Sequence, residues 1–408
     1  MNSDGAAPEA QWLSDLAKAA ASGDRPMAET AEAVRERVRE GDPAGARRLR
    51  AAAQTRAREA LARGRDGEGL VWAELAAAAA DVRTGAAERA QALVLVATAA
   101  LGAGKTRRAG AALEQAGAFV DDPAVDAVTR ANYARCLGLS AMAAGDTMAA
   151  AASLMDARER YRRLGLGPDA AACARDLGRV HAALGRGAEA TSWLRTAASE
   201  FEALGRPLDG ARVRYLLGHA LLAGGEPELA RGAFAVCREV FRLHGAFLLE
   251  AHATLSLAQA QYVLGRDIAA QALAGSAEAR YERHGRAADV HRCRLLTAAM
   301  RIDRGDYAGA DVLLRQARQV FEREGAVLDA ARCLYLKGVS LREEGRVEQA
   351  AAFLSRAFAR FRSLGAGLDA AKARLMLEQT APDGAAVQPD AGGAEGAGTR
   401  LGAAGPSL

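Results

Sequence analysis

Apolar side chains recur along most of the chain at the spacing of one face of an α-helix. In the segment 305–325, GDYAGADVLLRQARQVFEREG, the residues Ala310, Leu314, Ala317 and Phe321 follow one another at steps of four, three and four. Side chains at these steps project from the same side of an α-helix. The arrangement returns at a constant interval both before and after this segment, without a shift. The pattern therefore predicts an array of repeated helical units whose core continues from each unit to the next.

Two series of glycines divide each unit into two helices. Successive members of a series are separated by the same constant interval, and glycine is typical of the turns that separate helices. The first series comprises Gly145, Gly185, Gly225, Gly265, Gly305 and Gly345, and the second comprises Gly165, Gly205, Gly245, Gly285, Gly325 and Gly365. Two turns in each unit predict two helices in each unit.

Two further positions in the unit have a predicted packing role. Seven residues before each glycine of the first series, the first helix carries a small residue that allows its partner helix to approach closely: Gly138, Gly178, Gly218, Ala258, Ala298 and Gly338. Near its end, the second helix carries a large aromatic side chain: Tyr161, Phe201, Phe241, Tyr281, Phe321 and Phe361. We expect these rings to fill the space between consecutive units.

The regularity of the pattern predicts how the chain is organised. We expect a disordered N-terminus at 1–7, irregular helical hairpins at 8–125, six regular repeats at 126–365, a capping helix at 366–380 and a disordered tail rich in Ala, Gly and Pro at 381–408. The predicted fold is all-α, with about nine hairpins followed by a final unpaired helix that covers the last apolar face.

The first helices contain Leu137-Gly138, Leu177-Gly178 and Leu217-Gly218, each followed by a glycine turn and then by the spacing A-x3-L-x2-A. These residues resemble tetratricopeptide (TPR) repeats, in the class with longer helices and 40-residue units that occurs in adaptor proteins and in the sensor arrays of bacterial regulators. The resemblance covers most of the chain. It implies a right-handed α-solenoid whose concave face, lined by the first helices, holds a peptide or a partner helix.

The charge balance and the number of cysteines limit the classes of function and the cellular compartment. The 54 basic side chains are nearly balanced by 50 acidic ones, which argues against a nucleic-acid surface. Five cysteines without metal-ligand spacing are typical of a reducing compartment. The N-terminus does not have the pattern of a secretory signal, and the longest apolar run, Ala92 to Gly104, is shorter than the roughly 18 residues of a membrane span. We therefore expect a cytoplasmic protein.

Polar side chains that recur at fixed positions of the first helices form the candidate binding site. They could bind an acidic or carboxylate-bearing segment through arginine forks and tyrosine rings. The candidates are Arg212, Tyr215, His219, His252, Gln259, Tyr262, Arg292, Arg332 and Tyr335. An alternative is that the basic residues pair within their own helix, because an aspartate lies three residues before Arg212, Arg292, Arg332 and Lys372.

The sequence offers little support for catalysis. The stretch Ala99 to Thr106, AALGAGKT, resembles a phosphate-binding loop, but such a loop requires a preceding strand, and in the repeat frame Gly104 is an ordinary turn. The six histidines are scattered, without zinc-ligand spacing or a catalytic triad. We therefore predict no enzymatic activity, no cofactor and no metal.

The predicted function is a scaffold or adaptor that binds a protein or peptide segment, and an acidic segment fits the basic positions. The alternative is a regulatory or sensor protein that binds a peptide or a small signalling molecule and controls a separate effector, such as a transcription regulator. Binding of single-stranded RNA is less consistent with the balanced charge. Whether copies of the chain form a homo-oligomer is left open.

Overall fold

The computed structural model describes residues 6–22, 26–40, 43–80 and 84–380. These residues form nineteen α-helices and contain no strand, so the prediction of an all-α repeat fold is confirmed. The expected disordered tail at 381–408 lies outside the described residues, as do residues 1–5 of the expected disordered N-terminus. Residues 6 and 7 belong to the first helix.

The chain divides into two compact units, residues 1–204 and 205–408. The first unit contains α1 (Ala6–Ser22), α2 (Met27–Glu40), α3 (Pro43–Ala62), α4 (Asp66–Ala79), α5 (Ala86–Gly102), α6 (Thr106–Gly117), α7 (Ala127–Ala144), α8 (Thr147–Arg163), α9 (Gly167–Ala183) and α10 (Gly187–Ala203). The second unit contains α11 (Pro207–Ala223), α12 (Pro227–Leu243), α13 (Phe247–Val263), α14 (Asp267–Arg283), α15 (Ala287–Asp303), α16 (Tyr307–Arg323), α17 (Val327–Glu343), α18 (Val347–Ser363) and α19 (Gly367–Thr380).

Glycines in the left-handed backbone conformation separate the helices of the regular repeats. Gly305 and Gly325, on either side of α16, have φ values of 77° and 71°. A residue with a Cβ would be strained at such a φ, which explains why both series keep glycine. The recurrent aspartates Asp169, Asp289 and Asp329 lie at the third helical position, in helices without a side-chain cap. Their negative charges therefore interact favourably with the positive N-terminal end of the helix dipole, but their side chains do not cap the helix.

Within a hairpin, the small residue of the first helix lies against the second helix. A Cβ built on Gly178 of α9 would lie 2.6 Å from Cγ of Leu194 on α10, which is closer than real carbon atoms approach. Gly138 and Gly338 meet Leu154 and Leu354 in the same way. The glycine thus fixes how closely the two helices of a hairpin pack.

The aromatic rings of the second helices join one hairpin to the next. Tyr161 on α8 packs with Ala131 and Ala134 of its own hairpin and with Ala170 and Cys173 of the following one. Phe361 on α18 likewise contacts residues of both α17 and α19. All six of these rings are buried, and at Tyr161 and Phe361 the core passes from one hairpin to the next, as the spacing predicts.

Two segments near the N-terminus differ from what the sequence suggests. One departs from the regular repeat, and the other does not have the structure of a phosphate-binding loop. Helix α2 packs mainly against α4 and makes fewer contacts with α1, so the first two helices do not form a closely packed hairpin. The apolar run at Val94–Val96 is helical, within α5, and Gly104 forms the turn to α6 with a φ of 70°. The strand that a phosphate-binding loop requires is therefore replaced by a helix.

Candidate functional site

The first helices of the second unit pack side by side. Each of α11, α13, α15 and α17 contacts the next first helix, whereas consecutive second helices in the described part of this unit do not make comparable contact. The first helices therefore lie on the inner side of the stack. We call the surface formed by α11, α13, α15 and α17 the inner wall. All nine residues predicted as binding residues lie on these four helices.

Arginines and aspartates alternate along this inner wall. Arg292 donates to Asp329 on the next first helix over 2.8 Å and also to Asp289 on its own helix. Arg332 donates to Asp369 on α19 over 3.0 Å and to Asp329 over 3.2 Å. We call these five residues the Asp–Arg ladder.

Each arginine of the ladder contacts two carboxylates. The aspartates are well shielded from water, with 1% of Asp289 and 5% of Asp329 exposed. For Arg292 and Arg332 the predicted pairing at three-residue spacing is present, together with a second pairing between repeats. An acidic ligand at Arg292 or Arg332 would have to compete with these internal carboxylates.

Tyr215, Ser256 and His219 form a polar cluster between α11 and α13. The hydroxyl of Ser256 donates to the phenolic oxygen of Tyr215 over 3.2 Å and lies 3.2 Å from Nε2 of His219. Burial lowers the pKa of His219 to about 4, and the positive charge of Arg332 adds to this effect. The imidazole is therefore neutral at pH 7, and the cluster holds its side chain in place by hydrogen bonds and ring contacts.

Two other candidates are held by hydrogen bonds beneath the inner wall. Nδ1 of His252 lies 2.7 Å from the hydroxyl of Tyr281, and burial lowers the pKa of this histidine. The hydroxyl of Tyr262 donates to Asp303 over 2.6 Å. Because the rings of Tyr215 and Tyr262 are fully buried, either could influence a ligand only through the residues that it holds.

The remaining candidates differ in exposure. Arg212 is exposed and bonds Asp209 over 3.2 Å, and Tyr335 is half-buried, with burial raising its pKa to about 12. Gln259 is only 7% exposed, and among the residues that the structure describes its Oε1 atom has no hydrogen-bond partner. A buried amide oxygen without a partner is uncommon in folded proteins. A role in binding for all nine residues stays a prediction.

A group of charged residues in the first unit lies outside the nine candidates. Arg135, Arg175 and Arg179 occupy the same positions of their first helices as Tyr215 and His219 do in the second unit. The structure brings them together around the buried Asp176. The sequence showed that the arginines occupy equivalent positions of the repeat, but it did not show that they share one aspartate.

No group of three or more side chains suited to a metal ion is found among the described residues. The helices of the described part include none that combines the length and apolar character needed to cross a lipid bilayer.

Comparisons with known proteins establish the fold. No protein-family model and no curated protein matches the chain by sequence. Several solved structures are similar in three dimensions. The apo form of the quorum sensor NprR from B. thuringiensis has a TM-score of 0.63 at 10% identity, with 86% of this chain and 97% of that chain covered.

Two further structures share the fold. Aspartyl phosphate phosphatase F from Bacillus subtilis has a TM-score of 0.60 at 14% identity, with 88% of this chain and 94% of that chain covered. The Rap conjugation gene regulator of plasmid pLS20, in complex with the Phr* peptide, has a TM-score of 0.50 at 14% identity, with 78% and 87% covered. The chain is thus a TPR-like helical repeat protein, and the predicted resemblance is confirmed.

Proposed function

We propose that the chain is a non-enzymatic regulatory protein that binds a peptide segment along the inner wall of its second unit. The fold supports this proposal, since structures of the same fold include a quorum sensor and a regulator in complex with a peptide. Through such binding, the chain would control a separate effector. This combines the predicted scaffold with its sensor alternative.

The observation that carries the proposal is the buried amide oxygen of Gln259, which has no hydrogen-bond partner among the described residues. A buried acceptor without a donor costs free energy, on the order of 1–3 kcal/mol. The terminal torsion of a glutamine side chain is broad, so a small rotation can turn the carbonyl towards the inner wall. A peptide backbone offers N–H groups along its whole length. One of them would satisfy Gln259 in the complex.

The rest of the inner wall supports a peptide ligand because it is already ordered. The hydrogen bonds of His219 and the ion pairs of Arg292 and Arg332 fix these side chains before any ligand arrives. A preformed surface loses little conformational entropy on binding, so most of the entropy cost comes from the peptide. Arg212 is the exposed cation of the nine candidates and could contact an acidic residue of the peptide.

A binding role also fits the state of the thiols. All five cysteines are buried, and burial raises the pKa of Cys173, Cys237 and Cys333 to about 12. Because the thiolate is the reactive form, these side chains are poor nucleophiles at pH 7.

The test uses peptides selected from a random decapeptide library on the full chain, with affinity measured by fluorescence anisotropy. Gln259→Leu replaces the amide by an apolar side chain of similar size. We expect it to stabilise the fold by about 1 kcal/mol, because a buried unpaired acceptor is removed. We also expect it to lower the affinity for the selected peptide by about tenfold or more. A loss of binding combined with a gain in stability cannot be attributed to misfolding.

The matched control is Gln319→Leu, an exposed glutamine on α16 that lies outside the inner wall. It should leave peptide affinity unchanged. The proposal fails if no peptide is selected, or if Gln259→Leu binds the selected peptide as tightly as the control variant does.

A further inference from the structure

Three arginines of the first unit converge on one buried carboxylate. Nη2 of Arg135 on α7 lies 3.4 Å from Oδ2 of Asp176 on α9. On α9 itself, Nη2 of Arg175 lies 2.8 Å and Nη1 of Arg179 lies 3.8 Å from Oδ1 of the same carboxylate. We call these four residues the arginine cluster.

The charges of the arginine cluster do not cancel. Three guanidinium groups against one carboxylate leave two positive charges in excess. Helix α7 has no acidic residue, and the other carboxylate of α9, Asp169, lies seven residues before Asp176, or about 10 Å along the helix. In the Asp–Arg ladder, by contrast, each arginine contacts two aspartates.

The arrangement also leaves donor groups available. Asp176 has no exposed surface, whereas the side chains of Arg135, Arg175 and Arg179 are 24%, 33% and 46% exposed. The carboxylate thus lies beneath the three guanidinium groups and fixes their positions, while part of each arginine side chain stays exposed. Nε of Arg135 is buried and, among the described residues, has no hydrogen-bond partner. Guanidinium groups held in this way are suited to binding an oxyanion through several parallel hydrogen bonds.

We propose that the arginine cluster is a binding site for a phosphate group. A phosphate monoester carries between one and a half and two negative charges near pH 7, and three terminal oxygens that accept hydrogen bonds. It would neutralise the excess charge of the cluster, which a single carboxylate would do only in part. This site is separate from the peptide site on the second unit and does not depend on it.

Isothermal titration calorimetry on the full chain, in a chloride buffer of low ionic strength, tests the proposal. The probes are inorganic phosphate, phenyl phosphate and succinate. We expect one phosphate to bind per chain. Arg179→Gln changes the most exposed member of the cluster and should weaken binding roughly tenfold, since a charge-assisted hydrogen bond is lost. The double variant Arg175→Gln with Arg179→Gln should abolish binding, with circular dichroism used to verify the helical fold.

The matched control is Arg163→Gln on α8, whose side chain is 75% exposed and pairs with Glu159 outside the cluster. It should bind phosphate as the wild type does. Tighter binding of phenyl phosphate than of inorganic phosphate would assign the site to an esterified phosphate, and the reverse order to free phosphate. The proposal is overturned if neither phosphate probe binds the wild type, if succinate binds most tightly, or if Arg179→Gln and Arg163→Gln bind phosphate equally well.

Discussion

Arg292 on α15 donates from Nε to Asp329 on α17 over 2.8 Å and thereby joins two consecutive repeats by an ion pair. Asp329 also accepts from Arg332 on its own helix. The buried carboxylate is therefore shared between two arginines. Repeat arrays are usually described by the apolar contacts between neighbouring repeats, and here a charged contact accompanies them.

Asp329→Asn should destabilise the chain by about 2–4 kcal/mol, because it removes the negative charge that compensates two partly buried arginines. Urea unfolding followed by circular dichroism measures the effect. Glu239→Gln is the control, since it breaks an exposed pair with Arg242 that should contribute little to stability. Equal effects of the two substitutions would show that the ladder contributes nothing beyond a surface ion pair.

Phe321→Ala should cost about 3–5 kcal/mol, since it removes a fully buried ring from the core of the second unit. The loss should appear as a lower urea midpoint, with the helices of the second unit unfolding first. Leu243→Ala, at a side chain that is 67% exposed, serves as the control and should leave the midpoint unchanged. An unchanged midpoint for Phe321→Ala would contradict the packing described for this ring.

Gly178→Ala should destabilise the chain by about 1–3 kcal/mol, because the added methyl group would overlap Leu194. Gly110→Ala is an informative control. Gly110 is in the interior of α6, and a Cβ built there meets no atom within 4 Å. That substitution should stabilise the chain by up to about 1 kcal/mol, because alanine favours a helix more than glycine does. In thermal unfolding, Gly178→Ala should lower the midpoint temperature and Gly110→Ala should raise it.

Stability should fall when the pH drops below about 6.5, partly because of His219. Its pKa is about 4 in the folded chain, where burial disfavours the charged form, and about 6.5 when unfolded. The unfolded state therefore binds more protons between these values. The contribution of His219 is intact above pH 6.5 and is lost as the pH falls towards 4, by about 3 kcal/mol in total.

His219→Gln should remove this part of the pH dependence while it keeps a polar group near Ser256. Urea unfolding at several pH values between 4 and 7 measures the change. The pKa values of His252 and His291 are also lowered by burial, so some dependence should persist in the variant. His244→Gln, at an exposed position, should behave as the wild type does. An identical slope for His219→Gln and wild type would show that this imidazole does not titrate as described.

The fold could be predicted because its determinants recur at a constant interval along the chain. Gly305, Ala310 and Phe321 each have counterparts at the same positions of neighbouring units, so the pairing of the helices and the location of the core follow from the period alone. The pairing of Asp289 with Arg292 was also predictable, since it depends only on the geometry of a single helix.

The polar contacts between helices of different repeats could not be predicted in this way. The bond from Arg292 to Asp329 depends on the distance between α15 and α17, which the sequence does not specify. Tyr215 was predicted to offer its ring to a ligand, but that ring is buried. The same position carries Leu255 and Leu295 in the next two repeats, and both of these side chains are buried as well. The sharing of Asp176 by three arginines likewise emerged only from the structure.

Helix α19, the last helix of the described residues, covers the preceding hairpin in two ways. Its Ala370 and Ala373 cover the apolar face of the preceding hairpin, beside Phe361. Its Asp369 also supplies the second carboxylate of Arg332. A chain that stopped at residue 365 would expose this apolar surface to water. It would also leave the guanidinium group of Arg332 with one carboxylate partner in place of two. Helix α19 thus compensates a buried charge as well as covering apolar surface.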